Sequence, residues 1–374
     1  MPTCTQGRGS VLMQFLGRQS PHNAFQTRRR SNNRCRVQAM ATRSLAPPLP
    51  KKVSGSLVYP AKGEVKGVCH FLGGAFACAA PQVVYPLMID SITTSGYTVI
   101  ATPFAITFKH QECATKLHKE FWNTLDEVRS SSLSYCAPAD TPIHGVGHSM
   151  GALMHLLIGC FCETPSKTSN IIISTNNKEI EGAVPIPGLF DTLRSTLMAY
   201  DSLPLNPFPD PIALLKDVTS VVLETSPNQP IKDLLIPSIP PIFDQIDSVL
   251  GELREGVSDF IPAPMESRSV IQNSYNVPAT LMVKFSDDSI DETDEIMGLL
   301  KNGRPIRVDG LQLDGNHLTP IGGNLEWLGL DGSTGIPSQL NEISGIDSNR
   351  RLAEGVIQWM DTFVRVDVSD EPVI

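Results

Sequence analysis

Along the chain, apolar runs of strand length alternate with apolar positions at helical spacing. Val65 to Leu72 is an apolar run that ends at Gly73-Gly74, which predicts a buried strand. Met88 to Thr94 reads as the end of a helix, and Tyr97 to Phe104 as a second strand with Pro103 at its end. From Gln111 to Val128 the apolar residues Ala114, Leu117, Phe121, Leu125 and Val128 keep helical steps. Pro142 to Gly147 predicts a short third strand. Met150 to Phe161 predicts a buried helix with Ala152, Leu153, Leu156, Leu157 and Cys160 inward, and Asn170 to Thr175 a fourth strand. Strands that alternate with helices imply an α/β fold whose mostly parallel sheet is covered on both faces.

The pattern changes from Pro187 to Pro264. No strand stands out there, and prolines are dense at 204, 207, 209, 211, 227, 230, 237, 240 and 241. Two helical stretches lie between them. Ile212 to Glu224 has Leu214, Leu215, Val218, Val221 and Val222 on one side, and Ile242 to Leu253 has Ile246, Val249, Leu250 and Leu253. A segment with its own apolar faces reads as an inserted helical cap. Alternation then resumes with a helix over Met265 to Tyr275, a strand over Ala279 to Phe285 and a helix within Ile290 to Leu300. A short strand over Leu311 to Leu313 follows. A closing helix spans Arg351 to Val364, with Leu352, Val356, Trp359, Met360 and Phe363 inward.

Charge divides the chain further. The first acidic residue is Glu64, whereas Arg8, Arg18, Arg28, Arg29, Arg30, Arg34, Arg36 and Arg43 precede it. An arginine-rich segment without acids or a long apolar core has the composition of an organelle transit peptide. Val37-Gln38-Ala39-Met40-Ala41 resembles a plastid cleavage region. A mitochondrial presequence and a basic arm that binds nucleic acid are the alternatives. The predicted organisation is a transit peptide over 1–40, a linker over 41–54, core segments over 55–186 and 265–366 around a cap over 187–264, and a tail over 367–374. The net charge is −9, and without the arginines of the leader the remaining body is more acidic still, which disfavours binding to a phosphate backbone. No apolar stretch approaches the roughly 18 residues of a membrane span, which leaves peripheral membrane contact open. Of the eight cysteines, Cys4 and Cys35 fall in the leader. Cys69, Cys78, Cys113, Cys136, Cys160 and Cys162 lack metal-ligand spacing, and no nucleotide loop of the Gly-x-x-x-x-Gly-Lys type occurs. Neither a metal nor another cofactor is expected.

The candidate chemistry centres on Gly147-His148-Ser149-Met150-Gly151. A Gly-x-Ser-x-Gly run between an apolar strand and an apolar helix is the context of a nucleophile elbow. There the two glycines permit a sharp turn that exposes the serine hydroxyl. Ser149 is the candidate nucleophile, and His148 reads as a packing or gating residue. An oxyanion hole needs two backbone N–H groups. Met150 offers one. The turn in His70-Phe71-Leu72-Gly73-Gly74-Ala75-Phe76 offers the other, from Ala75 or Phe76. The acid should follow a late strand, where Ser286-Asp287-Asp288-Ser289-Ile290-Asp291 lies. Asp288 has the best spacing, with Asp291 and Asp287 as alternatives, and Asp291 also suits a helix cap. His317, in Asp314-Gly315-Asn316-His317-Leu318-Thr319-Pro320, is the sole histidine after the acid and the candidate base.

The order of nucleophile, acid and base matches that of the α/β-hydrolase superfamily, which the chain resembles over roughly Val53 to Val366. More narrowly, four stretches taken together are similar to an uncharacterised family of cyanobacteria and of plant and algal plastids. They are His70 to Phe76, Ala101-Thr102-Pro103-Phe104, Lys284 to Thr293 and Gly315 to Pro320. The resemblance implies an α/β-hydrolase fold and supports a plastid location, but brings no substrate. Many superfamily members carry a glycine near the end of the acid-bearing strand, where Phe285 stands here. The expectation is a plastid serine hydrolase, stromal or peripheral to the thylakoid. It would act on an ester or thioester, an acyl lipid among them, by hydrolysis or acyl transfer. The competing expectation is a non-catalytic binding or interaction protein of the same fold.

Overall fold

The structure, a computed structural model, describes residues 49–75, 77–162, 164–179, 245, 248, 251–252, 255–257, 259–321 and 346–364. The predicted leader, the first cap helix, most of the second and the C-terminal tail lie outside the described residues.

One sheet organises the molecule. Its strands are β1 (Lys51–Val53), β2 (Ser56–Tyr59), β3 (Gly67–Leu72), β4 (Tyr97–Ala101), β5 (Ile143–His148), β6 (Ser169–Ile173), β7 (Ala279–Asp287) and β8 (Arg307–Asn316). They lie in the order β1-β2-β4-β3-β5-β6-β7-β8. β2 runs antiparallel to both its neighbours, and every pair from β4 to β8 is parallel. Parallel neighbours need crossover connections, which helices supply. These are α1 (Pro81–Val84), α2 (Pro86–Thr94), α3 (His110–Ser130), α4 (Met150–Phe161), α5 (Pro264–Ser274) and α6 (Thr293–Asn302), and α7 (Ile346–Asp361) follows the last strand.

The helices divide between the two faces. On one side, Met88, Ile89 and Ile92 of α2 join Leu352, Val356, Trp359 and Met360 of α7 against Cys69, Phe71, Val99, Ile171 and Val283 of the sheet. On the other, α4 packs with Leu117 of α3, Ile271 of α5 and Ile296 and Leu300 of α6. β3, β5 and β6 are buried along their whole length, as strands covered on both faces must be. This is the expected α/β-hydrolase fold.

Three sequence expectations need correction. Lys51 to Val53, assigned to the linker, forms β1 and pairs with β2 through Lys51↔Val58. The strand expected over Leu311 to Leu313 is the ten-residue β8. Its polar Arg307, Asp309, Gln312 and Asp314 suit an edge strand, whose outer side faces water, and so masked the apolar signal. Helix α4 buries every residue from Met150 to Gly159 rather than one stripe, because the sheet, α3 and α5 enclose it, whereas Cys160 is only half-buried.

Candidate active site

Ser149 sits between β5 and α4 with φ 54° and ψ −116°. For a non-glycine residue this conformation costs of order 1–3 kcal/mol and persists only where the surroundings over-determine it. Here the Ser149 N–H donates to the Ile173 carbonyl at 2.9 Å, and its own carbonyl accepts from Leu153 N at 3.1 Å. The flanking glycines permit the turn. A Cβ on Gly147 would lie 2.5 Å from the Gly151 carbonyl oxygen, and one on Gly151 would collide with the Leu72 carbonyl. The elbow is therefore pressed against the end of β3.

The Ser149 hydroxyl lies 2.9 Å from His317 Nε2. His317 Nδ1 lies 2.8 Å from Asp288 Oδ2. The Asp288 side chain is fully buried and that of His317 is 12% exposed, so of this pair only the imidazole reaches the surface. With Asp288 ionised, Nδ1 carries the proton and donates to it. Nε2 is then left to accept from the serine hydroxyl. Burial alone would raise the Asp288 pKa. The hydrogen bond and charge of His317 outweigh it, with smaller contributions from Ser174 and the Ile290 N–H, and the carboxyl is held below its usual range.

Of the three candidate carboxylates, only Asp288 meets His317. Asp287 ends β7 and is exposed. Asp291 accepts from the Thr293 N–H at 3.2 Å and its hydroxyl at 2.5 Å, so it is tied to the first residue of α6. Burial, with a contribution from the Asp288 charge, raises the Asp291 pKa to about 6. Phe285 is buried beside Gly315. A Cβ on Gly315 would come 3.2 Å from its ring.

The predicted oxyanion turn lies beside the elbow. A Cβ on Gly74 would stand 3.1 Å from Ser149 Cβ. The Gly74 N–H is taken, for it donates to the Tyr85 hydroxyl at 2.8 Å. The Gly74 carbonyl accepts from Cys78 N at 2.8 Å. Those bonds occupy Gly74, and among the described residues Ala75 N–H and Met150 N–H are the candidate donors. The Met150 N–H stands in the first turn of α4, where no carbonyl four residues back completes a helical bond. Phe76, the alternative to Ala75, lies outside the described residues.

Sequence reasoning missed Tyr85. Its hydroxyl lies 2.9 Å from His148 Nδ1, and His148 Nε2 lies 2.9 Å from the His317 carbonyl. Nothing in Val84-Tyr85-Pro86 signals a contact with a residue 63 positions away. Burial, reinforced by the charge of His317, lowers the His148 pKa to about 3. His148 is thus a neutral buried link and not the base. Among the described residues no group of three or more His, Cys, Asp or Glu is arranged to hold a metal ion. No helix among them is long and apolar enough to cross a membrane.

Together, the sheet order and the serine elbow define an α/β-hydrolase-fold protein. Within that class the chain belongs to the family described as protein of unknown function (DUF1350), whose model matches residues 50–360. No curated protein matches the chain. Among solved structures it is similar to a peroxisomal alpha-beta-hydrolase of Saccharomyces cerevisiae, at 10% identity and a TM-score of 0.44, with 85% of each chain covered. It is also similar to carboxyl esterase 2 of the mycorrhizal fungus Tuber melanosporum, at 13% identity and a TM-score of 0.43, with 83% of each covered. A highly thermostable carboxyl esterase of Bacillus coagulans is a third, at 11% identity and a TM-score of 0.41. That match covers 85% of this chain and 98% of the esterase.

Proposed function

We propose that this protein is a plastid serine hydrolase that cleaves a carboxylic ester or thioester through a covalent acyl-enzyme. The observation that carries the reading is the hydrogen-bonded run from Ser149 Oγ through His317 to the buried Asp288 carboxylate, with a serine held at positive φ. Each link has a task. His317 Nε2 takes the hydroxyl proton as Ser149 Oγ attacks the carbonyl carbon. Asp288 fixes the tautomer and stabilises the imidazolium. The Met150 and Ala75 N–H groups receive the negative charge that develops on the carbonyl oxygen. The imidazolium then protonates the departing alcohol or thiol, and the C–O or C–S bond breaks. Water repeats the sequence on the acyl-enzyme and releases the carboxylic acid. An alcohol in place of water would make the reaction an acyl transfer.

The arginine-rich, acid-free leader supports an organelle address, and the cleavage-like stretch Val37 to Ala41 favours the plastid over the mitochondrion. The test is hydrolysis of p-nitrophenyl and acyl-thioester series by the chain from residue 41 onward, beside Ser149→Ala and His317→Ala. Turnover that falls by ~10³-fold or more in both variants supports the reading. Wild-type turnover no greater than that of the variants overturns it in favour of a binding protein.

A further inference from the structure

Resting on the serine-hydrolase reading, we infer that Tyr85 and His148 are positioning residues for the reaction. They form a buried relay that locks the oxyanion turn and the His317 loop to the elbow.

The polarity of the relay follows from its ends. The Gly74 N–H can only donate, so the Tyr85 oxygen accepts from it. At the far end the His317 carbonyl can only accept, so His148 Nε2 carries a proton and donates to it. A neutral imidazole with its proton on Nε2 has an acceptor at Nδ1. The Tyr85 O–H therefore donates to Nδ1. Every bond then points one way, from Gly74 N through Tyr85 and His148 to the carbonyl of His317. Tyr85 and His148 are both buried, so no water competes for these bonds, and one left unmade is costly.

The relay joins the three elements the reaction needs. Gly74 precedes Ala75 in the oxyanion turn, His148 precedes Ser149, and the bonded carbonyl is that of His317 itself. Packing reinforces the hydrogen bonds. Tyr85 meets Phe71 edge to face at 5.0 Å, and the His148 and His317 rings lie 5.0 Å apart. The relay also occupies the Gly74 N–H, which leaves the next N–H in the turn, that of Ala75, for the oxyanion. The hydrogen bonds of neither side chain run to Ser149 Oγ or His317 Nε2. Both act through the backbone of the turn and loop that the reaction uses.

The test compares wild type with Tyr85→Phe, His148→Phe and His148→Gln. It measures the melting temperature, the stoichiometry and rate of fluorophosphonate labelling, and kcat and KM for a p-nitrophenyl ester. Tyr85→Phe removes one oxygen, and His148→Phe keeps the ring but neither bond. His148→Gln restores a donor toward the His317 carbonyl. The expected result is full labelling stoichiometry in every variant, with labelling rate and kcat lowered 10- to 100-fold and KM within about twofold. His148→Gln should recover much of the loss. The double variant Tyr85→Phe/His148→Phe should be little worse than His148→Phe alone, because the residues act as one unit. A labelling rate and kcat at the wild-type level in folded Tyr85→Phe and His148→Phe overturns the relay and leaves the hydrolase reading intact. If His148→Phe does not fold, Tyr85→Phe decides. Failure of the wild type to label overturns both readings.

Discussion

Asp287 and Asn316 are the last paired residues of β7 and β8, and the side chains that meet beside Ser149 belong to the residue that follows each strand, Asp288 and His317. Pairing shifts just before this point. Phe285 faces Leu313, yet Asp287 faces Asn316, so β8 carries one extra residue. Gly315 lies in that stretch at φ 144°. A one-residue change of register sends a side chain to the opposite face. The bulge therefore decides that His317 turns toward the elbow.

Gly315→Ala should accordingly damage the site more than its size suggests. The new Cβ would strain the backbone and collide with the Thr319 hydroxyl, which accepts from the Asn316 N–H at 2.8 Å. A stability loss of about 1–3 kcal/mol is expected from the backbone strain. A kcat loss of ~10²-fold is expected from displacement of His317. Chemical denaturation and ester turnover check the two separately.

The three neighbouring carboxylates should separate cleanly. Asp288→Asn should lower kcat by ~10³-fold or more, since the imidazole loses its orienting charge. Asp287→Asn should leave kcat within about twofold. Asp291→Ala should cost about 1 kcal/mol of stability through the lost bonds to Thr293, with kcat largely retained. Steady-state kinetics beside thermal melts distinguish the three.

Lys167 gives a pH-dependent prediction. It is buried, and its Nζ has no hydrogen-bond partner. Its charge lies over the Phe121 ring at 5.6 Å. Burial lowers its pKa from 10.5 to about 7. Between these values the unfolded chain holds one proton more than the folded one, so stability rises with pH, with a limiting slope of about 1.4 kcal/mol per unit. Lys167→Met should be more stable than wild type at pH 7, and the difference should shrink as pH rises to 8.5. Urea denaturation of both proteins at several pH values measures it.

Glu252 anchors the described part of the cap. Its carboxylate accepts from the Thr107 hydroxyl at 2.5 Å and the Phe108 N–H at 2.8 Å. One turn earlier, the Ser248 hydroxyl donates to the Ile106 carbonyl at 3.3 Å. Glu252→Ala should cost about 1–3 kcal/mol, because two donors lose a charged acceptor. Glu252→Gln, which keeps an acceptor, should cost less. Thermal melts of the two variants test the order.

Much of this site was legible in the sequence because its parts are local. An apolar strand, Gly-x-Ser-x-Gly and an apolar helix occupy one continuous stretch, and strand periodicity located the acidic cluster. The choice of Asp288 over Asp287 and Asp291 depends on a bulge, which leaves little trace in hydrophobic pattern. β1 was hidden because a three-residue edge strand buries little, and β2 because four residues are too few to show a period. Tyr85 was hidden for another reason. Its partners, Gly74 and His148, meet it only through the sheet, and a tyrosine before a proline looks the same wherever its hydroxyl points. Most of the cap, expected over 187–264, lies outside the described residues, so its two predicted helices remain a proposal.

The most direct test of the central claim is reaction of the chain from residue 41 with a fluorophosphonate, followed by peptide mass mapping. One adduct per chain is expected, located on Ser149 and lost in Ser149→Ala. An adduct on another residue, or none on a folded protein, would contradict it.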